Sequence, residues 1–436
     1  MNETLLAVGL IALLFGLLFC GLWVAFSLMA VALVTLAFYS DLATVGSIMA
    51  TASWGTSAHW TLTSLPLFIW MGEILYRTRL SDDLFHGLAP WVERLPGRLL
   101  HVNVLGCGIF AAVSGSSTAT CATVGKIALP ELQQREYPTS LAYGSLAASG
   151  ALGILIPPSI IMIVYGGAAD VSIAQLFMAG VLPGLMLMAL FSGYIAIWSL
   201  LHPASVPTSK AGNQGLWSML KAGRRMIPIV LLIAFVIGSI YMGVATPTEA
   251  AGLGVLGALI LSWSYGLLTR ATFKESLAGA TMTSCMIAFI MAAAAMLSIA
   301  MGFAGIPRAV AEALTAMQLS PYLFLIGLAV IFIILGCFLD GISIVLLTTA
   351  VLIPAVRAYG FDMVWFGVFL IVAIEISMIT PPVGFNLFVI QALTRKDTFA
   401  IAKASLPFFI LMLIGMVLLA MFPEIATYLP SKIILR

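Results

Sequence analysis

The sequence predicts an all-α polytopic membrane protein built as an inverted structural repeat, with two re-entrant hairpins and two discontinuous helices. Three observations carry this. Of the 436 residues, 62% are hydrophobic and only 8% charged, whereas a soluble domain carries about 25% charged residues. Apolar stretches of membrane-crossing length recur along the whole chain. A small polar cluster followed by a proline pair occurs twice at matched spacing.

Single soluble cores stop growing at roughly 250–300 residues, so apolar content on this scale points to lipid as the solvent. The formal net charge is +2 and no basic run is present, which gives no sign of a nucleic-acid partner. The five cysteines (Cys20, Cys107, Cys121, Cys285, Cys337) lie in apolar stretches without CxxC spacing. They read as buried small hydrophobes rather than disulfides or metal ligands. The four histidines are too scattered to suggest a metal site.

The chain opens Met1-Asn2-Glu3-Thr4, without the basic segment of a cleavable signal peptide. The run from Thr4 to Phe38 holds 35 residues and no charge; one span needs about 20, so two helices turning near Cys20-Gly21 fit it. Further apolar segments fall at 60–76, 99–130, 139–169, 175–201, 225–243, 246–268, 276–303, 321–356, 363–394 and 405–422. Segments 99–130 and 321–356 are too long for one span, and each has a polar cluster at its middle: Ser114-Gly115-Ser116-Ser117 and Asp340-Gly341. Both are expected to enter the membrane and return on the same side, which irregular backbone tolerates only inside protein or along a cavity.

Charge bias supports this arrangement. With the N-terminus outside, the loops 77–98, 131–138, 202–224, 269–275 and 395–404 fall inside. With the neighbouring Arg225 they hold Arg77, Arg79, Arg94, Arg98, Arg135, Lys210, Lys221, Arg224, Arg270, Lys274, Arg395, Lys396 and Lys403, 14 of the 19 Lys and Arg. Arg308, Arg357, Lys432 and Arg436 lie outside, and Lys126 lies within the first hairpin. Ten full crossings and two hairpins follow, with both termini outside. Treating either hairpin as a crossing would move the basic loop after it to the wrong side.

The halves of the chain echo each other. Pro157-Pro158 come 27 positions after Pro130, and Pro381-Pro382 come 27 positions after Pro354. Proline removes a backbone donor and disfavours helical geometry in the residue before it. Each pair therefore breaks a helix at mid-membrane and leaves carbonyls without partners. Inverted repeats with broken helices mark secondary transporters, whose sites lie near the bilayer midplane. Ser114, Ser116 and Ser117 add hydroxyl oxygens and Asp340 a carboxylate, hard ligands suited to a hard cation such as Na⁺.

Other residues have blander readings. Asp340 is ionisable inside an apolar hairpin and is read as functional; the alternative is a hydrogen bond closing the tip. Glu375 reads either as a partner of the site's ligands or as a residue facing another helix, and Glu73 as an interfacial or helix-pairing residue. Thr246-Pro247-Thr248-Glu249 has the pattern of a capping box with proline at the first helical position. The serine cluster has no deep histidine to act as a base, so no catalytic residue is assigned. Gly125-Lys126-Ile127 lacks the residues of a phosphate loop. Energy must come from an ion gradient or another subunit.

Several stretches resemble one family. They are Ser114-Gly115-Ser116-Ser117; Gly150-Ala151-Leu152-Gly153-Ile154-Leu155-Ile156-Pro157-Pro158-Ser159; Tyr165-Gly166; Pro66 to Glu73; Ala179 to Gly184; Thr246 to Ala251; and Pro381-Pro382-Val383-Gly384. Together they resemble the large permease (DctM-type) subunit of TRAP transporters, the tripartite ATP-independent periplasmic carriers of the ion-transporter superfamily. The resemblance implies an elevator-type, Na⁺-coupled importer of organic anions such as dicarboxylates, sialic acids and other carboxylates. Its setting is the bacterial inner membrane. The implied partners are a separate small four-helix (DctQ-type) subunit and a periplasmic (DctP-type) substrate-binding protein. No cofactor is implied beyond the coupling ion.

Carried over by position, one Na⁺ site uses Ser114, Ser116, Gly150, Gly153, Ile156 and Pro158, and the other Gly336, Asp340, Met378 and Thr380. Ser117, Ser159, Gly341 and Pro382 are expected to face substrate. The implied organisation is scaffold helices at 1–98, a first transport region at 99–201, scaffold and connecting helices at 202–320, a second transport region at 321–394, and a C-terminal helix at 395–436. Two other functions are compatible with the residues: a stand-alone Na⁺/anion symporter of the same superfamily, and a membrane scaffold or channel without coupling. The paired broken helices argue against the last.

Overall fold

The computed structural model describes residues 3–78, 87–207, 223–224 and 226–432. Arg79, Lys210, Lys221, Arg225 and Arg436, used above to orient the chain, lie outside them, as does most of the 202–224 connection. The described residues are helical, with no strand among them.

The first half runs α1 (Glu3–Phe19), α2 (Val24–Ala37), α3 (Leu42–Ser57), α4 (Ser64–Arg77), α5 (Leu100–Ser114), α6 (Ser117–Gln134), α7 (Thr139–Ala151), α8 (Ile160–Ala169) and α9 (Ile173–Leu201). The second half runs α10 (Ile227–Tyr241), α11 (Pro247–Ser264), α12 (Arg270–Phe303), α13 (Ile306–Ala316), α14 (Pro321–Gly336), α15 (Gly341–Ala358), α16 (Met363–Ser377), α17 (Phe385–Thr394), α18 (Thr398–Met421) and the short α19 (Glu424–Thr427). Among the described residues, α9, α12, α15 and α18 are each long and apolar enough to cross a membrane.

Both long segments fold as helix–turn–helix with the turn at the polar cluster: α5 turns into α6 at Gly115-Ser116, and α14 into α15 across 337–340. Both proline pairs break their helices. α7 ends in a tight turn, Leu152–Ile154, and resumes as α8 after Ser159; α16 ends at Ser377 and resumes as α17 after Gly384. The Pro157–Pro158 and Pro381–Pro382 bonds are cis.

The repeat reaches further than the proline motifs suggest. Helices α1 and α10, α6 and α15, and α7 and α16 each begin 224 positions apart (227 − 3, 341 − 117, 363 − 139). Helices α6 and α15 are both 18 residues long. The in-helix prolines keep the same offset, Pro130 with Pro354 and Pro183 with Pro407 (354 − 130, 407 − 183). The helices flanking the hairpins therefore belong to the repeat as well.

The two copies are not identical. Where the first has α3, a turn and α4, the second has the single 34-residue α12, about 51 Å long at 1.5 Å per residue. Helix α3 corrects the sequence reading, which left 39–59 between spans. Its Thr44, Ser47, Thr51, Ser53, Thr56 and Ser57 dilute its hydropathy, while Asp41 caps it by accepting from Ala43 N and Thr44 N. Helix α13 is a second correction. It is amphipathic, too short and too charged to register as a span, and packs along α15.

Packing sorts the elements. Helix α12 lies against α2, α3 and α4, and α11 against α4 and α10. Helices α5, α6 and α7 pack together, with α18 along α7 and α14 along α16. The repeats interlock by exchange: α17 packs on α6, and α8 packs on α15. Each hairpin thus leans on the broken helix of the other half. Close approach is carried by small residues, as membrane helix packing requires. A Cβ on Gly144 would strike the Ala404 backbone, and one on Gly150 would lie 2.6 Å from Cys121 Cβ.

Candidate functional site

The first hairpin tip is built by three local choices. Gly115 ends α5 in the left-handed region (φ +60°), where a Cβ would be strained and would lie 2.8 Å from Pro158 O. Ser116 then caps α6, its hydroxyl accepting from Ala119 N at 3.5 Å. Ile160 N donates to Gly115 O at 3.3 Å, fastening the restart of the broken helix to the tip.

Oxygen atoms converge there. Ser114 Oγ lies 2.6 Å from Thr120 Oγ1 and 3.2 Å from Ser116 O. Gly153 is packed against Ser116 O and Thr120, so closely that a Cβ would lie 2.7 Å from Thr120 Oγ1. Ser114, Ser116, Gly153 and Pro158 are therefore brought together, with Gly150 a turn away against Cys121. The side chain of Ile156 points elsewhere, toward Gly108 and Gly184. Thr120 was missed in the sequence. Its signal was available, since it follows Ser116 by four residues and so shares its helix face.

The second tip is built on a carboxylate. Asp340 caps α15: Oδ2 accepts from Ile342 N (3.1 Å) and Ser343 N (3.4 Å), and Oδ1 accepts from Ser343 Oγ. The tip-closing alternative is thus realised, while Oδ1 retains an unused lone pair. Gly336 lies directly against the Ser377 side chain, where no Cβ fits, and Cys337 Sγ donates to Pro381 O at 3.4 Å. Thr380 Oγ1 donates to Ile376 O at 2.7 Å, and Met378 O accepts from Asn386 N at 3.1 Å. Hairpin and break meet here as in the first half, through different side chains.

Of the four residues expected to face substrate, only Pro382 is exposed. Ser159 is fully buried, donating to Ile154 O (2.5 Å) and accepting from Met162 N (3.4 Å). Gly341 is buried against Ile161 and Ile374. Ser117 is buried and donates to Asn386 Oδ1 at 3.0 Å. Glu375 is fully buried with neither carboxyl oxygen hydrogen-bonded. It faces the interior, and its backbone carbonyl accepts from Met378 N at 3.1 Å.

A cavity of about 320 Å³ opens between α3, α8, α12 and α15, lined by Thr51, Thr56, Gly167, Ser298, Thr349 and Ala350 among others. Its size suits a small organic molecule. None of the four residues above lines it. At the other end of the α4–α12 contact, Arg77 pairs with Glu73 within α4 (2.7 Å) and with Glu275 of α12 (3.0 Å), and the Glu73 carboxyl group packs against Gly279 of α12. Thr246 and Glu249 form the capping box, with Thr246 N donating to Glu249 Oε2 at 2.8 Å and Glu249 N to Thr246 Oγ1 at 3.3 Å.

Comparisons agree with this architecture. The crystal structure of the YdaH transporter of Alcanivorax borkumensis, described as having an unusual topology, superposes with a TM-score of 0.65 over 89% of this chain and 90% of that one. At 13% identity it speaks for the fold alone. The C4-dicarboxylate TRAP transporter large permease DctM of Rhodobacter capsulatus is 34% identical, covering 85% of this chain and 87% of its own. The protein of the same name from Pseudomonas aeruginosa is 33% identical, covering 86% and 87%. Residues 11–425 match the family described as the tripartite ATP-independent periplasmic transporter, DctM component. The chain is a multi-pass membrane transporter subunit and belongs to the DctM family, the large permease component of TRAP transporters.

Proposed function

We propose that this chain is the Na⁺-coupled membrane subunit of an importer that takes small organic anions from a periplasmic binding protein. The observation that supports it best is the pairing of each hairpin tip with a broken helix. Half-helix ends and unwound backbone at such a junction offer carbonyl and hydroxyl oxygens, the ligands of a hard cation. At the first junction Ser114, Ser116, Gly150, Gly153, Ile156 and Pro158 would supply one Na⁺ shell, and Thr120 joins them by geometry. At the second, Gly336, Asp340, Met378 and Thr380 would supply another, with the unused lone pair of Asp340 Oδ1 its charged ligand.

Pro382 would meet the substrate, whose class is suggested by relatives named for C4-dicarboxylates. Helices α5–α9 and α14–α18 would move as one body against α1–α4 and α10–α12, in an elevator motion. Helix α18 would travel with the moving body, a reading its packing on α7 and α9 supports. The membrane would be the bacterial inner membrane, with both termini periplasmic, and a small DctQ-type subunit would complete the complex.

The test is uptake by the reconstituted complex in ATP-free vesicles under an inward Na⁺ gradient. Uptake should require Na⁺ and collapse when choline replaces it. Equal uptake in choline would overturn the coupling. Uptake by this chain alone in liposomes, with no binding protein, would favour a stand-alone symporter.

A further inference from the structure

Asn386 lies one residue inside α17 and is fully buried. Its side chain and backbone N–H together join three elements. Oδ1 accepts from Ser117 Oγ at 3.0 Å, on the first hairpin. Nδ2 donates to Ala147 O at 2.9 Å, on the first half of the first broken helix. Its backbone N–H donates to Met378 O at 3.1 Å, inside the second break. A primary amide buried without partners costs several kcal/mol, so this residue is tolerated only because these elements stay together.

The link exists once. The offset of 224 places Met162 at the equivalent position of the first half (386 − 224), and Met162 is buried with an apolar side chain. The exchange of α17 onto α6 therefore carries a polar fastener, while that of α8 onto α15 is made without one at this position. Ser117 is adjacent to Ser116 in the first tip, and Met378 belongs to the second break. One residue thus bonds, through its side chain, to the neighbour of Ser116 in one proposed cation shell and, through its backbone N–H, to the Met378 carbonyl of the other.

We propose that Asn386 is a positioning residue that couples the two cation sites, so that filling one orders the oxygens of the other. The hairpin carrying Ser117 cannot shift without moving Asn386, and Asn386 cannot shift without moving the Met378 carbonyl. Coupling between sites needs such a shared element. This rests on the two-site reading above and goes beyond it, since two independent sites would need no bridge.

The experiment is Na⁺-dependent uptake by the reconstituted complex, fitted for the Hill coefficient, half-saturating Na⁺ and substrate KM at saturating Na⁺. Wild type should show a Hill coefficient well above one. Asn386→Ala should lower it toward one and raise half-saturating Na⁺ about tenfold, leaving KM within about twofold. Ser117→Ala, a smaller change on the other side of the same hydrogen bond, should move the Hill coefficient in the same direction. The double variant should be little worse than either single one. If Asn386→Ala does not assemble, Ser117→Ala alone decides. A wild-type Hill coefficient retained in the assembled variants, with loss confined to maximal rate, would overturn the coupling role while leaving both sites standing. A wild type without Na⁺ cooperativity would remove the two-site reading and this inference with it.

Discussion

Ser116 and Asp340 hold one position in two copies of the same hairpin, 224 residues apart (340 − 116), and each caps the helix leaving its tip. The chemistry at that position has diverged: a neutral hydroxyl in the first half, a carboxylate in the second. A cap needs only an acceptor oxygen, which both supply. The difference in charge therefore bears on what else the tip holds.

Removing one oxygen at each tip tests the cation sites. Ser114→Ala and Asp340→Ala are expected to abolish Na⁺-driven uptake while leaving membrane insertion intact. Ser114 caps neither helix of its hairpin, and loss of the Asp340 cap costs about 1 kcal/mol, too little to prevent folding of a chain this large. Uptake assays at matched expression check this. Normal uptake in both variants would remove the site assignment.

Gly153→Ala should be as damaging as either. Its methyl would press on Ser116 O and lie 2.7 Å from Thr120 Oγ1. Backbone cannot yield as a flexible side chain can, so the tip must part from the broken helix. The expected result is loss of uptake at retained expression, together with a lowered melting temperature. Wild-type Na⁺ dependence in this variant would show that the approach is looser than the geometry implies.

The capping box provides a control. Glu249→Gln weakens the bonds that Thr246 N and Thr246 Oγ1 make to Glu249 Oε2, both 2.8 Å. It should lower stability slightly and leave the Na⁺ dependence of uptake unchanged. A shift in half-saturating Na⁺ would give this motif a part in coupling.

The hairpins can be tested directly by labelling. In a cysteine-free background, single cysteines at Arg98 and Gln134 should react with an impermeant thiol reagent only from the cytoplasm. Those at Ser320 and Arg357 should react only from the periplasm. Helix α15 is long and apolar enough to cross a membrane by itself, so the second pair is the sharper test. Opposite labelling of the flanks of one hairpin would make that segment a crossing.

The sequence by itself determined the solvent, the hairpins and the breaks. Scarce charge excludes a soluble core, Ser114 to Ser117 and Asp340-Gly341 interrupt stretches too long for one span, and a proline pair breaks a helix wherever it stands. Each of these is a local property. Helix α3 escaped because its hydroxyl residues are polar on average, and α13 because an amphipathic helix shows its apolar face only when its neighbour is known. Only the tertiary structure decided that the hairpins exchange partners between the halves, that Thr120 joins Ser114, and that Ser159 turns inward. It alone showed that Asn386, a single polar residue in the apolar run Phe385 to Phe388, bonds to Ser117, 269 positions before it. Such pairings depend on which surfaces pack together, and packing partners so distant along the chain leave no periodic trace in it.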